Sequence, residues 1–332
     1  MRILVLRFSS LGDVALCRPV LLALVEQYPQ AEVVFVSKKP FTQLMMGIAN
    51  LKVFEINVED RHKGVLGLFR LFFDLRALGH FDKVIDLHNV LRTKVLAALF
   101  YLSLQRVYVY RKDRKARRAY TRKESKIRNA LTPVALSYGQ VFEKAKLPIA
   151  IKNPPYFGNR KDSPNGKIGF APFASNKQKT WPLELSRRLM ELLDSEKFEV
   201  ILFGSKEEQK QLLELSKGLI NVECYKGNGN WQNEIEAIKQ LKLMICMDSA
   251  NMHLAALAGT PTLSIWGATH PDLGFGPMGS SNIIIQLDSK ELSCRPCSVF
   301  GQYTCYRGDW ACLWGISPQE VLKKVSRIVQ LP

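Results

Sequence analysis

The amino-acid sequence predicts an α/β protein built from two doubly wound, Rossmann-like domains. Its 332 residues exceed what one ordinary hydrophobic core holds. Short apolar runs alternate with stretches of helical periodicity, which is typical of βαβ units and a parallel sheet. The alternation stops at the polar, proline-containing stretch 152–166 and then begins again. We therefore expect one domain at 1–155 and a second at 165–332, with a ligand cleft between the strand carboxyl ends of both.

Each predicted element follows from a local pattern. A strand is read from a short apolar run, and a helix from an amphipathic stretch that ends at a breaker such as Pro29. In the first half, strands are expected at 2–6, 32–37, 53–56 and 83–87, and helices at 14–27 and 65–78. In the second half, strands are expected at 167–171, 199–203, 243–247 and 262–266, and helices at 182–193, 207–217, 233–241 and 251–258.

The composition is that of a globular protein, with 47% hydrophobic and 23% charged residues. The best apolar stretch, 95–104, is about half the length of a membrane-spanning helix and is expected to be a buried helix. The N-terminal residues 1–7 lack the apolar region and cleavage site of a signal peptide. We expect a cytoplasmic monomer, with peripheral binding to the inner face of the cytoplasmic membrane left open.

Nearly all of the formal net charge of +17 lies in the first half of the chain. Residues 1–155 hold 27 Lys and Arg against 12 Asp and Glu, whereas residues 156–332 hold 20 against 18. Such a one-sided field attracts nucleic acid, an anionic membrane surface or a phosphorylated substrate. A solvated basic surface without a partner is the alternative.

Five polar segments follow predicted strands, at the edge where parallel sheets bind ligands. They are Ser9-Ser-Leu-Gly-Asp13, Phe173-Ala-Ser-Asn-Lys-Gln-Lys-Thr-Trp-Pro182, Phe203-Gly-Ser-Lys-Glu-Glu208, Asp248-Ser-Ala-Asn-Met-His253 and Trp266-Gly-Ala-Thr-His-Pro271. With these segments in this order, the chain resembles bacterial glycosyltransferase family 9, the ADP-heptose:lipopolysaccharide heptosyltransferases. The resemblance implies the two-domain GT-B fold and an inverting transfer of heptose from ADP-heptose to the lipopolysaccharide inner core, with no metal ion and no cofactor.

The expected partners are a nucleotide sugar, an anionic lipid-linked saccharide acceptor and the inner-leaflet membrane surface, and no nucleic acid. A family 9 transferase that uses another nucleotide sugar is an alternative, because spacing does not reveal the sugar pocket. A non-catalytic protein that binds nucleic acid or anionic membrane is an alternative from a different class. That alternative assigns no role to Asp13 and Lys179. In addition, aromatic residues are not regularly interleaved with the basic residues, as nucleic-acid binding would favour.

Asp13 is the candidate catalytic base. An inverting transfer needs a carboxylate that takes the proton of the acceptor hydroxyl as its oxygen attacks the anomeric carbon. The resemblance places the family's catalytic Asp at this turn, together with Ser10 and Gly12. The structural alternative is that Asp13 only caps the helix that follows.

The donor is expected to bind the second domain. The resemblance assigns Lys179 to the donor phosphate as a catalytic residue, because a lysine neutralises the charge of a leaving diphosphate. A backbone cradle for phosphate is expected where the turn at Asp248 opens a helix, and Ala250 stands where the family usually has glycine. The remaining donor-binding candidates are Lys177, Thr180, Glu208, Ser249 and His253. Lys177 is the alternative to Lys179 for the phosphate contact. Glu207 is the alternative to Glu208, which can instead be a solvated charge, and His253 can instead be a structural histidine.

The acceptor is expected to contact Arg61, Lys63 and Arg92 in the basic half. The basic run 111–128, with ten Lys and Arg, is either a solvated face or a mobile loop that closes over a phosphorylated sugar. The apolar helix 65–78 can rest on a membrane surface, although core packing is the favoured interpretation.

Four cysteines near the C-terminus have the spacing of a thiolate zinc site, but packing and disulfides remain open alternatives. They are Cys294, Cys297, Cys305 and Cys312. The match to G-x-G-x-x-G at 274–279 precedes a strand-like run, so it is not a dinucleotide fingerprint. No P-loop motif is present, which argues against a P-loop NTPase.

Overall fold

The polypeptide forms two parallel β-sheets, with helices between successive strands. The structure is a computed structural model and describes residues 1–124, 126, 128–158, 166–227, 229–279 and 281–329. The strands are β1 (Arg2–Leu6), β2 (Glu32–Lys38), β3 (Leu51–Ile56), β4 (Lys83–Asp86), β5 (Arg106–Val109), β6 (Ile168–Ala171), β7 (Val200–Leu202), β8 (Val222–Cys224), β9 (Leu243–Met247), β10 (Thr262–Ile265) and β11 (Asn282–Ile285). The predicted α/β class with two doubly wound sheets is confirmed.

The helices occupy the connections between these strands. They are α1 (Leu11–Ala15), α2 (Cys17–Gln27), α3 (Lys39–Thr42), α4 (Gly64–Ala77), α5 (Leu91–Leu102), α6 (Arg114–Tyr120), α7 (Val134–Lys144), α8 (Leu183–Ser195), α9 (Gln209–Ser216), α10 (Trp231–Lys239), α11 (Ala250–Ala258), α12 (Ala311–Trp314) and α13 (Pro318–Ile328). Short 3-10 turns lie at Gln43–Met45, Lys177–Lys179, Lys206–Glu208 and Pro271–Leu273.

The first sheet has the order β3-β2-β1-β4-β5, with β1 at its centre. Leu4 pairs with Val34 on one side and with Val84 on the other, and all three are buried. A strand with neighbours on both sides and helices on its faces is apolar throughout, which explains the run Arg2–Leu6. The turns after β1 and β4 therefore lie side by side at the carboxyl edge of this sheet.

The second sheet has the order β11-β10-β9-β6-β7-β8. β9 lies between β6 and β10, as shown by the pairing of Cys246 with Ala171 and with Ser264. The connections after β6, β9 and β10 therefore begin side by side at one edge of the sheet, although they are far apart in sequence. The strand β11 follows the G-x-G-x-x-G match directly, so that match does not open a helix.

Contacts divide the described chain into two units whose boundaries differ from the expected ones. Residues 1–113 and 134–152 form the first unit, and residues 114–133 join those from 153 onward in the second. The expected division assigns 114–133 to the first domain. The physical reason for the difference is packing: Arg117 lies over the ring of Phe275 at 4.4 Å, inside the second unit. Residues 159–165 of the predicted linker 152–166 lie outside the described residues.

Two apolar helices are less buried than the sequence suggests. The expectation that 95–104 is a buried helix is wrong for its last turn, because Leu102 and Leu104 are exposed while Leu96 and Phe100 are buried. The helix α4 packs its Leu71 face into the core and exposes its opposite face. Within the part of the chain that the structure describes, no helix is both long and apolar enough to cross a bilayer.

Gly67 is required inside α4, because a Cβ there would meet the carbonyl carbon of His62 at 2.2 Å. Backbone atoms cannot yield as a side-chain tip can, so we expect Gly67→Ala to lower the free energy of unfolding by about 1–3 kcal/mol. Gly139→Ala in α7 is the matched control: its Cβ would meet side-chain atoms alone, the tip of Ile151 at 3.3 Å and Ile149 Cγ1 at 3.9 Å. Chemical denaturation measures both variants, and equal stabilities would contradict this packing argument.

Candidate active site

The turn after β1 holds Asp13 against a buried cation. Asp13 lies in α1 with about 29% of its side chain exposed, and it forms an ion pair with the Arg7 guanidinium. Arg7 also donates to the Leu87 carbonyl at 2.7 Å, and Ser10 Oγ donates to Asp13 Oδ2 at 3.0 Å. A neighbouring cation favours the ionised form of a carboxyl group. The turn therefore presents an oriented, partly exposed carboxylate that can accept a proton.

Asp13 is not the N-cap of the helix that contains it. The N-cap position of α1 belongs to Ser10, and Asp13 is the third helical residue. Gly12 contributes its carbonyl, which accepts from the Leu16 amide at 3.0 Å. The Asp13 carboxylate accepts a hydrogen bond from Ser10 and forms an ion pair with Arg7.

The other ionisable groups near this turn are less accessible to an acceptor hydroxyl than Asp13 is. Burial, together with the charges of Arg7 and Lys112, lowers the pKa of His88 to about 3. The buried Asp86 uses Oδ1 to accept from the backbone amides of His88 and Asn89, at 2.8 and 2.9 Å. That carboxylate closes the turn after β4, whereas Asp13 is accessible.

The connections after β6, β9 and β10 bring three polar side chains together in the second unit. Lys179 Nζ lies 3.1 Å from Asp248 Oδ2, and both side chains are largely buried. Thr269 Oγ1 donates to the same oxygen at 2.8 Å. Because β6, β9 and β10 are neighbours, residues from three distant segments of sequence converge on one carboxylate.

A nine-residue helix begins immediately beside this cluster. Ser249 is the N-cap of α11, Ala250 is its first residue, and His253 is buried one turn along. The amides of the first turn have no partner inside the helix and carry its positive dipole end. The expected phosphate cradle is thus adjacent to the ammonium group of Lys179.

The remaining donor candidates differ in their surroundings. Thr180 Oγ1 accepts from the Ala174 amide at 3.2 Å and so helps to close the 177–179 turn, while Lys177 is exposed. Glu208 Oε2 accepts from the Ser205 amide at 2.7 Å in a capping box. Glu208 therefore stabilises the turn before α9. Its second carboxylate oxygen, Oε1, would be the one to contact a ribose.

The acceptor candidates lie near the first turns of α4 and α5. Arg61 forms a two-point ion pair with Asp74, with distances of 2.8 and 2.6 Å, and this pair lowers the pKa of Asp74 to about 2. Lys63 is the exposed N-cap of α4, and Arg92 is exposed in the first turn of α5. The structure therefore brings Lys63 and Arg92 to the carboxyl edge of the first sheet.

The basic run 111–128 is divided between the units: residues 111–113 belong to the first, and the described residues from Arg114 onward belong to the second. Tyr120 donates to Asp272 at 2.8 Å, and Lys126 Nζ donates to the carbonyls of 293–295 at 2.7–2.9 Å. Ser125 and Ile127 lie outside the described residues. The interpretation of the run as a mobile loop is not favoured by these contacts.

The four C-terminal cysteines line one cavity, together with Arg295. All seven cysteines are free thiols in the structure. Among the residues that the structure describes, no three His, Cys, Asp or Glu side chains are arranged to hold a metal ion. Arg295 is buried and donates to the carbonyls of Gly267 and Thr269, so this segment fixes the connection that carries Thr269.

The sequence model of glycosyltransferase family 9 (heptosyltransferase) matches residues 69–303. The chain belongs to glycosyltransferase family 9. It is therefore a glycosyltransferase, as the order of its polar segments predicts. The matched span contains the Lys179 and Asp248 cluster, and Asp13 precedes it.

Full-length comparisons agree with this assignment. A lipooligosaccharide heptosyltransferase 2 of Campylobacter jejuni is 23% identical over 328 residues, which cover 96% of each chain. A family 9 glycosyltransferase of Veillonella parvula superposes with a TM-score of 0.73 at 20% identity, covering 99% of this chain and 97% of that one. The E. coli heptosyltransferase WaaC with ADP gives 0.71 at 19% identity, covering 99% and 100%. The predicted GT-B fold is confirmed.

Three residues of this family 9 transferase's candidate site are not among those that the sequence predicts. The first is Arg7, although a basic residue directly after a buried strand is a usable signal. The second is Thr269, which lies in a predicted segment, but its bond to Asp248 depends on strand order. Gly301 gives room to the Lys179 stem, because a Cβ there would meet Lys179 Cγ at 2.6 Å.

Asp13→Asn separates the base from a structural role. Asn keeps the shape and the hydrogen bond from Ser10 but cannot take a proton at neutral pH. We expect turnover to fall by about 10²- to 10⁴-fold while folding and nucleotide affinity stay unchanged. The control is Asp82→Asn, which changes a carboxylate that accepts from the Arg2 amide at the opposite edge of the same sheet. Full activity of the Asp13 variant would refute the proposed base.

Lys179→Ala tests the donor side. Its ammonium group would contact bound diphosphate already in the ground state, so we expect nucleotide affinity to fall by about 10- to 100-fold together with turnover. Lys177→Ala, which removes an exposed lysine of the same turn, should change both little. Isothermal titration with ADP measures the affinities. A larger loss for the Lys177 variant would reverse the assignment of the two lysines.

Proposed function

We propose that this chain transfers heptose from ADP-heptose to an anionic, lipid-linked saccharide of the lipopolysaccharide inner core, with inversion and without a metal ion. The cluster of Lys179, Asp248 and Thr269 beside the N-terminus of α11 is the observation that carries the proposal. A largely buried ammonium group next to unpaired helix amides is suited to a diphosphate.

The reaction follows from the two sites. The acceptor hydroxyl oxygen attacks the anomeric carbon of the donor from the face opposite the diphosphate, and its proton passes to the Asp13 carboxylate. The bond between the anomeric carbon and the diphosphate oxygen breaks as the new glycosidic bond forms. ADP leaves with the bonding electron pair, and its added charge is met by Lys179 and by the amides of α11. Arg7 keeps the Asp13 carboxylate oriented throughout.

The choice of heptose and ADP is supported by the relatives. The Campylobacter protein is a lipooligosaccharide heptosyltransferase, and the E. coli structure WaaC is described with ADP. In this proposal the enzyme works as a monomer in the cytoplasm, at the inner face of the membrane that holds its acceptor. The excess of Lys and Arg in residues 1–155 suits an acceptor that carries anionic groups.

A transfer assay with ADP-heptose and a deacylated inner-core acceptor tests the proposal. We expect product of inverted anomeric configuration, unchanged rates in excess chelator, and much weaker competition by UDP than by ADP. The Asp13→Asn variant is the negative control for contaminating transferases. A preference for UDP would reject ADP-heptose as donor, and loss of activity in chelator without loss of folding would reveal a required ion.

A further inference from the structure

The outward faces of α4 and α5 expose many apolar side chains. Leu66 is 73% exposed and Phe73 is 65% exposed. The apolar residues exposed on or next to these helices are Val65, Leu66, Phe69, Phe73, Leu78, Leu91, Tyr101, Leu102 and Leu104. Exposed apolar residues that share a face mark an interaction site more often than scattered ones do. We call this set the α4–α5 surface.

These side chains are not needed for the core of the first unit. The opposite face of α4 supplies Leu68, Leu71, Phe72 and Leu75 to that core. Phe72 packs edge-on against Phe100 of α5, with ring centroids 5.1 Å apart. The helix α4 therefore carries a second apolar stripe in addition to the one that folding uses, and a globular protein in water gains nothing from it.

The charges around the α4–α5 surface are mostly positive, with Glu59 and Asp60 as exposed carboxylates in the loop before α4. Exposed basic residues on and beside the two helices are Lys63, Arg70, Arg76, Arg92 and Lys94. The helix α5 contains no Asp or Glu, and the only carboxylate within α4 is Asp74. Asp74 is already bound by Arg61 and His62.

We propose that the α4–α5 surface docks on an anionic lipid bilayer, with its apolar side chains in the interfacial layer and its basic residues on the headgroups. A second copy of this chain is the less favourable occupant, because a self-complementary contact would bring basic residues against basic residues with fewer carboxylates to pair with them. This proposal rests on the proposed function in one respect: the lipid-linked acceptor gives the enzyme a reason to bind the bilayer.

The topology places this surface where docking is useful. The helix α4 follows β3 and α5 follows β4, so both helices begin at the carboxyl edge of the first sheet. The Asp13 turn leaves β1 at the same edge. The α4–α5 surface runs along both helices, so a bilayer on it would extend to the edge of the unit that holds the candidate base.

Vesicle sedimentation tests the proposal without donor or acceptor. We expect the wild-type chain to pellet with phosphatidylglycerol-containing vesicles and not with pure phosphatidylcholine vesicles. The double variant Leu66→Glu, Phe73→Glu should bind at least about tenfold more weakly, since it adds two like charges to the contact. Ile220→Glu is the control, because Ile220 is an apolar residue of the second unit that is even more exposed than Leu66 or Phe73; it should bind like wild type.

Activity on two acceptors and the oligomeric state complete the test. The double variant should transfer sugar to a water-soluble acceptor at the wild-type rate and lose transfer to the same acceptor embedded in vesicles. Wild-type protein that ignores anionic vesicles, or a double variant that binds them normally, would overturn the proposal. So would a wild-type dimer that the double variant dissociates in analytical ultracentrifugation. Vesicle binding without any heptose transfer would refute the proposed function and leave this inference standing.

Discussion

The parallel pairing of β9 between β6 and β10 is the constraint on which the donor side depends. A carboxylate as buried as that of Asp248 is costly unless charges and hydrogen bonds compensate it. Strand order supplies both, because the connection after β6 brings Lys179 and the connection after β10 brings Thr269. Removing either partner would leave Asp248 under-compensated. The site is thus a consequence of sheet topology. An anionic ligand that binds Lys179 would compete with Asp248 for its positive charge.

The first unit also pairs a carboxylate with a cation, but here the cation is the buried partner. Here the cation, Arg7, is buried and the carboxylate, Asp13, is partly exposed. The guanidinium is anchored by the Leu87 carbonyl at the end of β4, so the neighbouring strand again fixes the functional group. An exposed carboxylate held by a buried cation remains accessible to a hydroxyl group. In each unit, a group from a neighbouring strand or its connection thus orients a charged side chain at the carboxyl edge of the sheet: the Asp13 anion in the first unit and the Lys179 cation in the second.

The features that depend on local pattern were predictable from the sequence, and those that depend on strand order were not. The alternation of strands and helices gave β9 at its observed bounds and α4 to within one residue at each end. The turn at Asp13 and the helix start at Asp248 were recognised because each follows a buried strand directly. The pairing of Arg7 with Asp13 and of Lys179 with Asp248 required knowledge of which strands are neighbours. The assignment of 114–133 failed for a similar reason, since the contact of Arg117 with Phe275 joins segments more than 150 residues apart.

Hydrophobic periodicity identifies a helix but does not say how many of its faces the protein core can cover. The helices α4 and α5 show this, because their inner faces fill the first core while Leu66 and Leu102 remain in solvent. Apolar residues beyond those that folding requires are retained only if something else contacts them, or at a cost in solubility. Basic side chains beside them oppose self-association and favour an anionic lipid surface. In our proposal the exposed residues of 95–104, Leu102 and Leu104, contact an anionic bilayer, while Leu96 and Phe100 fill the core.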